Sequence, residues 1–545
     1  MNELNPIIIK LLENRGITDE GDILEFLSDK PKKTYDPFLL LNMEKGVDLI
    51  LSGIKAGRKI CIYGDYDADG ITSVSLMTRI LSPLSENLTY YVPSRFEEGY
   101  GLNKAAIGSI RDKGADIIIT VDCGSSSYDE VIYAKELGLS VIVTDHHNTA
   151  GKIPECVVIN PKQPGCGYPF KQLAGVGVAF KLAQAIQKKA GLPKSALVEV
   201  LDLVAIGTVG DIVPLIDENR TLVKYGLTEL NLLKRKGVRR LAETVYNRNG
   251  GISSDVVAYI LVPHLNAAGR MLSADSAVDI LISDDDEAIR ENVAGLVENN
   301  KLRKKVQEET YKKCVEIINK QHSEDKCLLI RSDEAHEGTA GIVAGKIKDE
   351  YGKPAIIVTP SGDMYKGTGR SPESVNLYEL LARFEHLFVK FGGHAGACGF
   401  LIEEKNLNAL VQGLKDRMDE MFNACPEIFD ERYSFDAEIP GGEVTAGLFD
   451  LIERLAPFGN QNKKPVFLIR DIRAGNIAYL GEDGRHLQFS ANCPDGGVLQ
   501  CVLFNKAEKY KSIIESGVPV DIFGTIESQV WNNSRRIQFF VEKIA

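Results

Sequence analysis

Three short β-branched runs, each ending in acid, constrain the fold of this chain more than any other feature. KICIYG (59–64), ADIIITVD (115–122) and LSVIVTD (139–145) lead directly into DYDAD, CG and HHN. Continuous apolar runs of this length, rather than alternating ones, mark strands buried on both faces. The stretches ITSVSLMTRIL and SYDEVIYAKELG between them read as helices, so the rhythm is that of βα units building a parallel sheet. In such sheets ligands gather at the carboxyl ends of the strands, where each run deposits its carboxylates.

With 545 residues the chain exceeds one hydrophobic core, because cores stop growing beyond roughly 250–300 residues. Residues 1–45 read as a cap of short helices, and the α/β segment 46–286 follows. Residues 287–325 carry a long, charged, amphipathic stretch without proline, read as a helix joining two domains. Residues 326–424 resume α/β character, with CLLIRS and PAIIVTP as strands around the helix EGTAGIVAGKIKDEYG. From 425 to 545 five or so strands separated by Gly, Asp and Asn suit a small barrel, best an OB-fold.

Hydrophobic residues at 44% and charged residues at 26% exclude extended disorder. No run reads as membrane-spanning and the N-terminus lacks a secretory cleavage signature, so a cytoplasmic protein is expected. Ten cysteines without a CxxC pair argue against a zinc ribbon or disulfide framework. The net charge of −12 counts only mildly against a nucleic-acid partner, since a carboxylate-rich metal site contributes to it. Basic clusters at Lys234–Arg240 and Lys301–Lys305 read first as solvated helix faces.

Asp65, Asp67 and Asp69 stand at every second position, on one face if the backbone is extended. Three like charges side by side repel strongly unless a cation offsets them, although a lone motif of this kind is nearly as well read as an acidic surface turn. Asp122 closes the second run, and Asp145-His146-His147 closes the third in a chain with only eight histidines. Imidazole mixed with carboxylates points to manganese first, with magnesium as the alternative. Asp211, alone among small and apolar residues in GTVGDIVPL, would cap a helix or provide a fourth acidic station, the latter being the more economical reading.

In this order DYDAD, VDCG, TDHHN and GTVGDIVPL match the four motifs of the DHH phosphoesterase superfamily, which the chain resembles. The resemblance implies two divalent metal ions held by Asp65, Asp67, Asp69, Asp122, His146 and Asp211. It makes His147, with Asp145, the catalytic pair that positions or stabilises the reacting phosphate. Within the superfamily, PSRFEEGYG (93–101), PHLNAAGR (263–270) and LAPFGNQNKKPVF ahead of the barrel resemble the RecJ family, while KGTGRS (366–371) and FGGHAGACGF (391–400) resemble the DHHA1 module. That likeness assigns phosphate or DNA contacts to Arg95, Arg270, Thr368, Arg370, Gly393 and His394, and barrel contacts to Phe504, Trp531, Phe539 and Arg535 or Arg536. As a bare pattern, GGHAGACG also reads as a tight helix-packing turn, but its place downstream of a DHH segment makes substrate contact the better reading. Two departures stand out: Ala335 where an aromatic is usual, and Gly210 where alanine is.

The implied fold is α/β, a parallel-sheet DHH domain joined by a long helix to a smaller α/β DHHA1 domain, with a C-terminal OB barrel. The implied activity is a 5′ to 3′ exonuclease releasing mononucleotides from single-stranded DNA in recombination and repair. A single-strand-binding protein and a recombination helicase are its candidate partners, and no membrane is involved. A nuclease for short RNA, a cyclic-dinucleotide phosphodiesterase and a noncatalytic replication scaffold stay open as alternatives.

Overall fold

The computed structural model describes residues 4–545 except 96–97, 150–151, 247–249, 272–273, 323, 430–433, 482 and 532–533. The chain forms two compact units, one of Met1–Asn266, Ala274–Val293 and Ser434–Ala545, the other of Ala267–Ser273 and Ala294–Tyr433. In the first, β1 (Ile60–Tyr63), β2 (Leu88–Tyr91), β3 (Ile117–Val121), β4 (Ser140–Thr144) and β5 (Val157–Ile159) form a parallel sheet in the order β2-β1-β3-β4-β5. The chain leaves β1 towards β2 and then crosses back to β3. The connections after β1 and β3 therefore diverge and open a crevice at their carboxyl ends.

Both faces of this sheet are covered, as the unbroken apolar runs require. Cys61, Tyr63, Ile118 and Val143 pack with Ile107 and Ile110 of the helix Lys104–Asp112 and with Val131 and Ala134 of the helix Tyr128–Glu136. Helices Met43–Lys55, Ala68–Leu81 and Gly175–Ala190 also pack against the sheet strands. Edge strands β2 and β5, formed by LTYY and VVI, are too short to announce themselves in sequence.

The second unit holds a mixed sheet of β6 (Leu328–Arg331), β7 (Ala355–Ser361), β8 (Met364–Arg370), β9 (Phe388–His394) and β10 (Ala397–Ile402), ordered β6-β7-β8-β10-β9 with only β6 and β7 parallel. Val343, Ala344 and Ile347 of the helix Glu337–Tyr351 pack with Leu328, Ile330, Ala355 and Ile357. On the other face Leu407, Leu410, Leu414 and Met418 of the helix Glu404–Ala424 pack with Ile356, Val358, Cys398 and Phe400. KGTGRS is thus mostly strand, and GGHAGACG forms the β9–β10 hairpin rather than a helix-packing turn. The long helix expected from the charged stretch runs Asp286–Ile317 and continues as a π-helical turn, Ile318–His322.

The C-terminal part of the first unit is a closed five-strand barrel. After the short β11 (Ala437–Glu438), strands β12 (Phe467–Leu480), β13 (His486–Asn492), β14 (Val498–Leu503), β15 (Val520–Trp531) and β16 (Ser534–Ile544) pair in the order β12-β13-β14-β16-β15, and β15 returns to β12. Phe467, Phe489 and Phe539 fill its core, joined by Ile8, Leu11 and Leu12 of the helix Pro6–Asn14 and by Ile23 and Leu27 of the helix Glu20–Leu27. Among the described residues no helix is long and apolar enough to cross a membrane.

Candidate metal centre

The crevice between the ends of β1 and β3 collects the carboxylates. Asp65 is buried in the turn after β1, and Asp67 caps the helix Ala68–Leu81, its Oδ1 accepting from the backbone N–H groups of Asp69 (2.9 Å) and Gly70 (3.1 Å). Asp69, in the first turn, accepts from the N–H groups of Gly175 (2.7 Å) and Val176 (2.8 Å). It thereby sits at the positive end of the helix Gly175–Ala190, where a carboxylate is favoured. Asp122 follows β3 with φ 60°, a left-handed conformation that aspartate tolerates better than most residues. Gly175 leaves it room, since a Cβ there would collide with the Asp122 carboxylate. Asp211 ends the helix Leu201–Gly210, where a Cβ on Gly210 would stand 3.1 Å from Ala68 Cβ and 3.2 Å from Val262 Cγ2. The glycine at that departure suits a tight contact beneath the site.

The two histidines after β4 are held differently. His146 Nε2 lies 3.2 Å from Asp122 Oδ1 and 3.5 Å from Asp211 Oδ2. His147 Nδ1 donates to Asp145 Oδ1 at 2.7 Å. The same oxygen accepts from the N–H groups of His146 (2.7 Å) and His147 (3.1 Å), and Oδ2 accepts from Ser125 N–H (2.8 Å). Buried Asp145 is therefore a fully hydrogen-bonded anchor for His147, rather than a group free to bind a cation.

Electrostatics separate these roles. Burial and neighbouring carboxylates raise Asp65 and Asp122 well above the ordinary carboxylate range, Asp69 to about 7 and Asp211 to about 9. Burial, with the charge of His147, lowers His146 to about 3, so its imidazole is neutral and has the form a metal requires. Burial opposes the charge on His147, but the hydrogen bond and charge of Asp145 outweigh it and raise the imidazole to about 9.

Ligand atoms of Asp65, Asp67 and Asp122, of Asp69, His146 and Asp211, and of Asp122, His146 and His147 form three groups, each within 4.8 Å. Asp65 Oδ1, Asp122 Oδ1, Asp211 Oδ2 and His146 Nε2 are buried without a hydrogen-bond partner. Carboxylates buried this close together without hydrogen-bond partners are costly to keep ionised. A divalent cation satisfies them, and a mixed oxygen and nitrogen set suits a first-row transition ion or magnesium.

Of the predicted phosphate contacts, Arg95 lies over the Tyr66 ring at 5.2 Å, beside the DYDAD motif, while Phe96 and Glu97 of its loop lie outside the described residues. In the second unit Arg270 donates to Gly338 O at 2.8 Å. Thr368 and Arg370 sit on one face of β8, and the register Arg370–Ala397–His394 sets His394 on that face two strands away. Gly393 has φ 144°, and a Cβ there would collide with Ala397 O, so glycine is required at this point of the hairpin. Ala335 is buried ahead of His336, which caps the helix Glu337–Tyr351 by accepting from Gly338 N–H.

The barrel candidates divide. Phe539 is buried in the core and cannot stack on a base, which corrects that expectation. Arg535 is paired with Asp450 at 2.6 Å, and the Trp531 side chain lies outside the described residues. Phe504 and Arg536 are exposed. In the basic cluster, Lys234, Arg235 and Lys236 pair with Glu229, Asp202 and Asp286.

Several residues at the site had escaped sequence reasoning. Tyr100 Oη lies 2.9 Å from His147 Nδ1 and donates to Asp122 O at 3.2 Å, tying two strand ends together. Asn160 Nδ2 donates to His147 O (2.9 Å) and Ser125 Oγ (2.9 Å), and Asn266 Oδ1 accepts from Ala68 N–H (2.7 Å). Tyr100 and Asn266 lie within the quoted motifs PSRFEEGYG and PHLNAAGR, where the arginines drew attention by charge.

Three family models match in chain order: the DHH family N-terminal domain at residues 59–208, the DHHA1 domain at 324–420 and the RecJ OB domain at 435–543. The first two, with the switch-point carboxylates and the DHH histidines, define a DHH–DHHA1 phosphoesterase. Over 99% of its length the chain is 36% identical to the single-stranded-DNA-specific exonuclease RecJ of Bacillus subtilis strain 168, covering 68% of that relative. Its fold matches the crystal structure of RecJ from Thermus thermophilus in complex with Mn2+ at a TM-score of 0.83, with 26% identity over 100% of this chain and 76% of the other. The Mg2+ complex of RecJ from the same organism matches at 0.76, with 25% identity over 99% and 75% of the two chains. The chain belongs to the RecJ family of single-stranded-DNA-specific exonucleases.

Proposed function

We propose that this RecJ-family exonuclease degrades single-stranded DNA from the 5′ end, releasing 5′ mononucleotides, with Asp65, Asp67, Asp69, Asp122, His146 and Asp211 holding two divalent ions. Mn2+ is the first choice and Mg2+ the alternative. The observation that carries the reading is the buried meeting of side-chain oxygens from Asp65, Asp122 and Asp211 with the neutral imidazole of His146, none of these atoms having a hydrogen-bond partner. Bound ions would polarise the phosphodiester and lower the pKa of an attacking water.

The chain's own groups then position the substrate. His147, kept protonated by Asp145, donates a charge-assisted hydrogen bond to a phosphate oxygen, and Tyr100 orients the ring. Arg95 contributes a second cationic donor. Thr368, Arg370, Gly393 and His394, with Arg270, form the phosphate-contacting set of the second unit, and exposed Phe504 and Arg536 are the barrel's candidates for the strand. The reading keeps a cap at 1–45, a DHH domain at 46–286, a connecting helix at 287–325, a DHHA1 domain at 326–424 and an OB domain at 425–545. It assigns the protein to recombination and repair in the cytoplasm, beside a single-strand-binding protein and a recombination helicase.

The test is digestion of a long single strand labelled separately at each end, with Mn2+, Mg2+ or chelator, beside duplex and RNA controls. Metal-dependent release of mononucleotides from the 5′ label alone is expected. Release from the 3′ label, or equal attack on RNA, would overturn the polarity or the DNA preference.

A further inference from the structure

Ile212, immediately after Asp211, has φ 59° and is 70% exposed. Both features are unfavourable for isoleucine. A β-branched side chain at positive φ is strained, and glycine or asparagine would take this backbone more easily. A polar residue would also be better solvated.

The surroundings hold the conformation in place. Asn460 Nδ2 donates to Ile212 O at 2.8 Å, and Asn460 O accepts from Leu215 N–H at 2.8 Å. Ile212 N–H donates to Val209 O at 3.3 Å. Gly459 packs against the same turn, where a Cβ would stand 2.7 Å from Leu215 Cδ1. A segment well separated in sequence thus clamps the turn so that the isoleucine points outward instead of relaxing into the core. Strain over-determined in this way collects at functional sites.

We propose that Ile212 is a base-contacting specificity residue: its exposed side chain packs on the nucleobase of the nucleotide held beside Asp211. Nucleobase faces are apolar, and covering an exposed isoleucine removes water from both surfaces. Only a base free of its partner and its stack offers that face, so the contact favours single strands over duplex ends. The inference rests on the reading of the Asp211 centre as the site of DNA cleavage.

The experiment compares kcat/KM of the Mn2+-loaded protein on an ordinary single strand and on one whose 5′-terminal nucleotides are abasic. Wild type, Ile212→Gly and Ile212→Leu are measured, with Mn2+ affinity and melting temperature alongside. The preference of wild type for the base-bearing strand is expected to fall about fivefold in Ile212→Gly, the scale of a modest stacking contact, and to persist in Ile212→Leu. Mn2+ affinity should hold, and Ile212→Gly should melt no lower than wild type because strain is relieved. If wild type is active but Ile212→Gly leaves the preference unchanged, or loses rate equally on both strands, the base contact is overturned while the nuclease reading stands. A wild type inactive on both strands overturns the nuclease reading and the proposal with it.

Discussion

Asp122→Asn should make the metal-free protein more stable while abolishing its response to metal. Ligand atoms of Asp65, Asp67 and Asp122 lie within 4.8 Å of one another. At an effective dielectric constant of ~20, two unit charges at that separation repel by about 3.5 kcal/mol. Protonation relieves part of this before the substitution does, so a net gain of about 1–3 kcal/mol is the reasonable magnitude. Asparagine is nearly isosteric and accepts the φ of 60° at this position. Its amide also supplies a donor toward His146 Nε2, 3.2 Å from the present Oδ1. With an unfolding entropy of ~2.1 cal/mol/K per residue, a unit of roughly 400 residues shifts by about 1.2 °C per kcal/mol, so the midpoint of the first unit should rise by about 1–4 °C in chelator. The assay is thermal unfolding at pH 8 in chelator and across a Mn2+ titration, with nuclease activity measured in parallel. Wild type should gain stability with Mn2+, whereas the variant should start higher, gain little and cleave nothing. A variant that melts below wild type in chelator, or matches its Mn2+ shift, would refute the charge-repulsion argument.

Asp69 at about 7 and Asp211 at about 9 are raised acids, so the native state holds protons that the unfolded chain releases near pH 4, and stability falls as pH rises from there toward 9. His147, raised to about 9, adds stability that is complete below its unfolded value near 6.5 and is lost on the way to 9, in the same direction. Metal-free protein should therefore melt lower at pH 8.5 than at pH 6, with a larger Mn2+ shift at the higher pH; a pH-independent shift would contradict this. Lys181, fully buried, donates to Glu218 Oε1 at 2.9 Å and Tyr35 O at 2.6 Å. Lys181→Met should cost about 3–5 kcal/mol in denaturant unfolding, with part of the loss recovered in Lys181→Met/Glu218→Gln. His147→Gln should lower kcat by about a hundredfold with a smaller effect on KM, which steady-state kinetics on single-stranded DNA would show.

The metal centre was legible because parallel-sheet geometry converts a one-dimensional pattern into a place. Strands aligned in parallel bring their carboxyl ends to one edge, so Asp65, Asp122 and His146 could be brought together from strand endings alone. What each atom does there depends on partners remote in sequence. Asp69 accepts from Gly175 and Val176, more than a hundred residues on, and Tyr100 reaches His147 from a loop whose most visible residue is an arginine. The same limit explains KGTGRS. Its resemblance to the DHHA1 module does not say that it forms β8, where Gly367 leaves space that the Phe400 ring occupies from β10. A glycine within a strand marks close approach as readily as a turn, and the approaching ring lies 33 residues away. Phe539 shows the limit at its sharpest. Alternation along RRIQFFVEKI distinguishes two faces but not which one closes inward, and it is the return of β15 to β12 that places Phe539 in the core. Local pattern therefore identified the chemistry wherever the strand ends carried it. Where closure or a distant cap set the role, the residue type alone was the same for a core aromatic as for a base-stacking one.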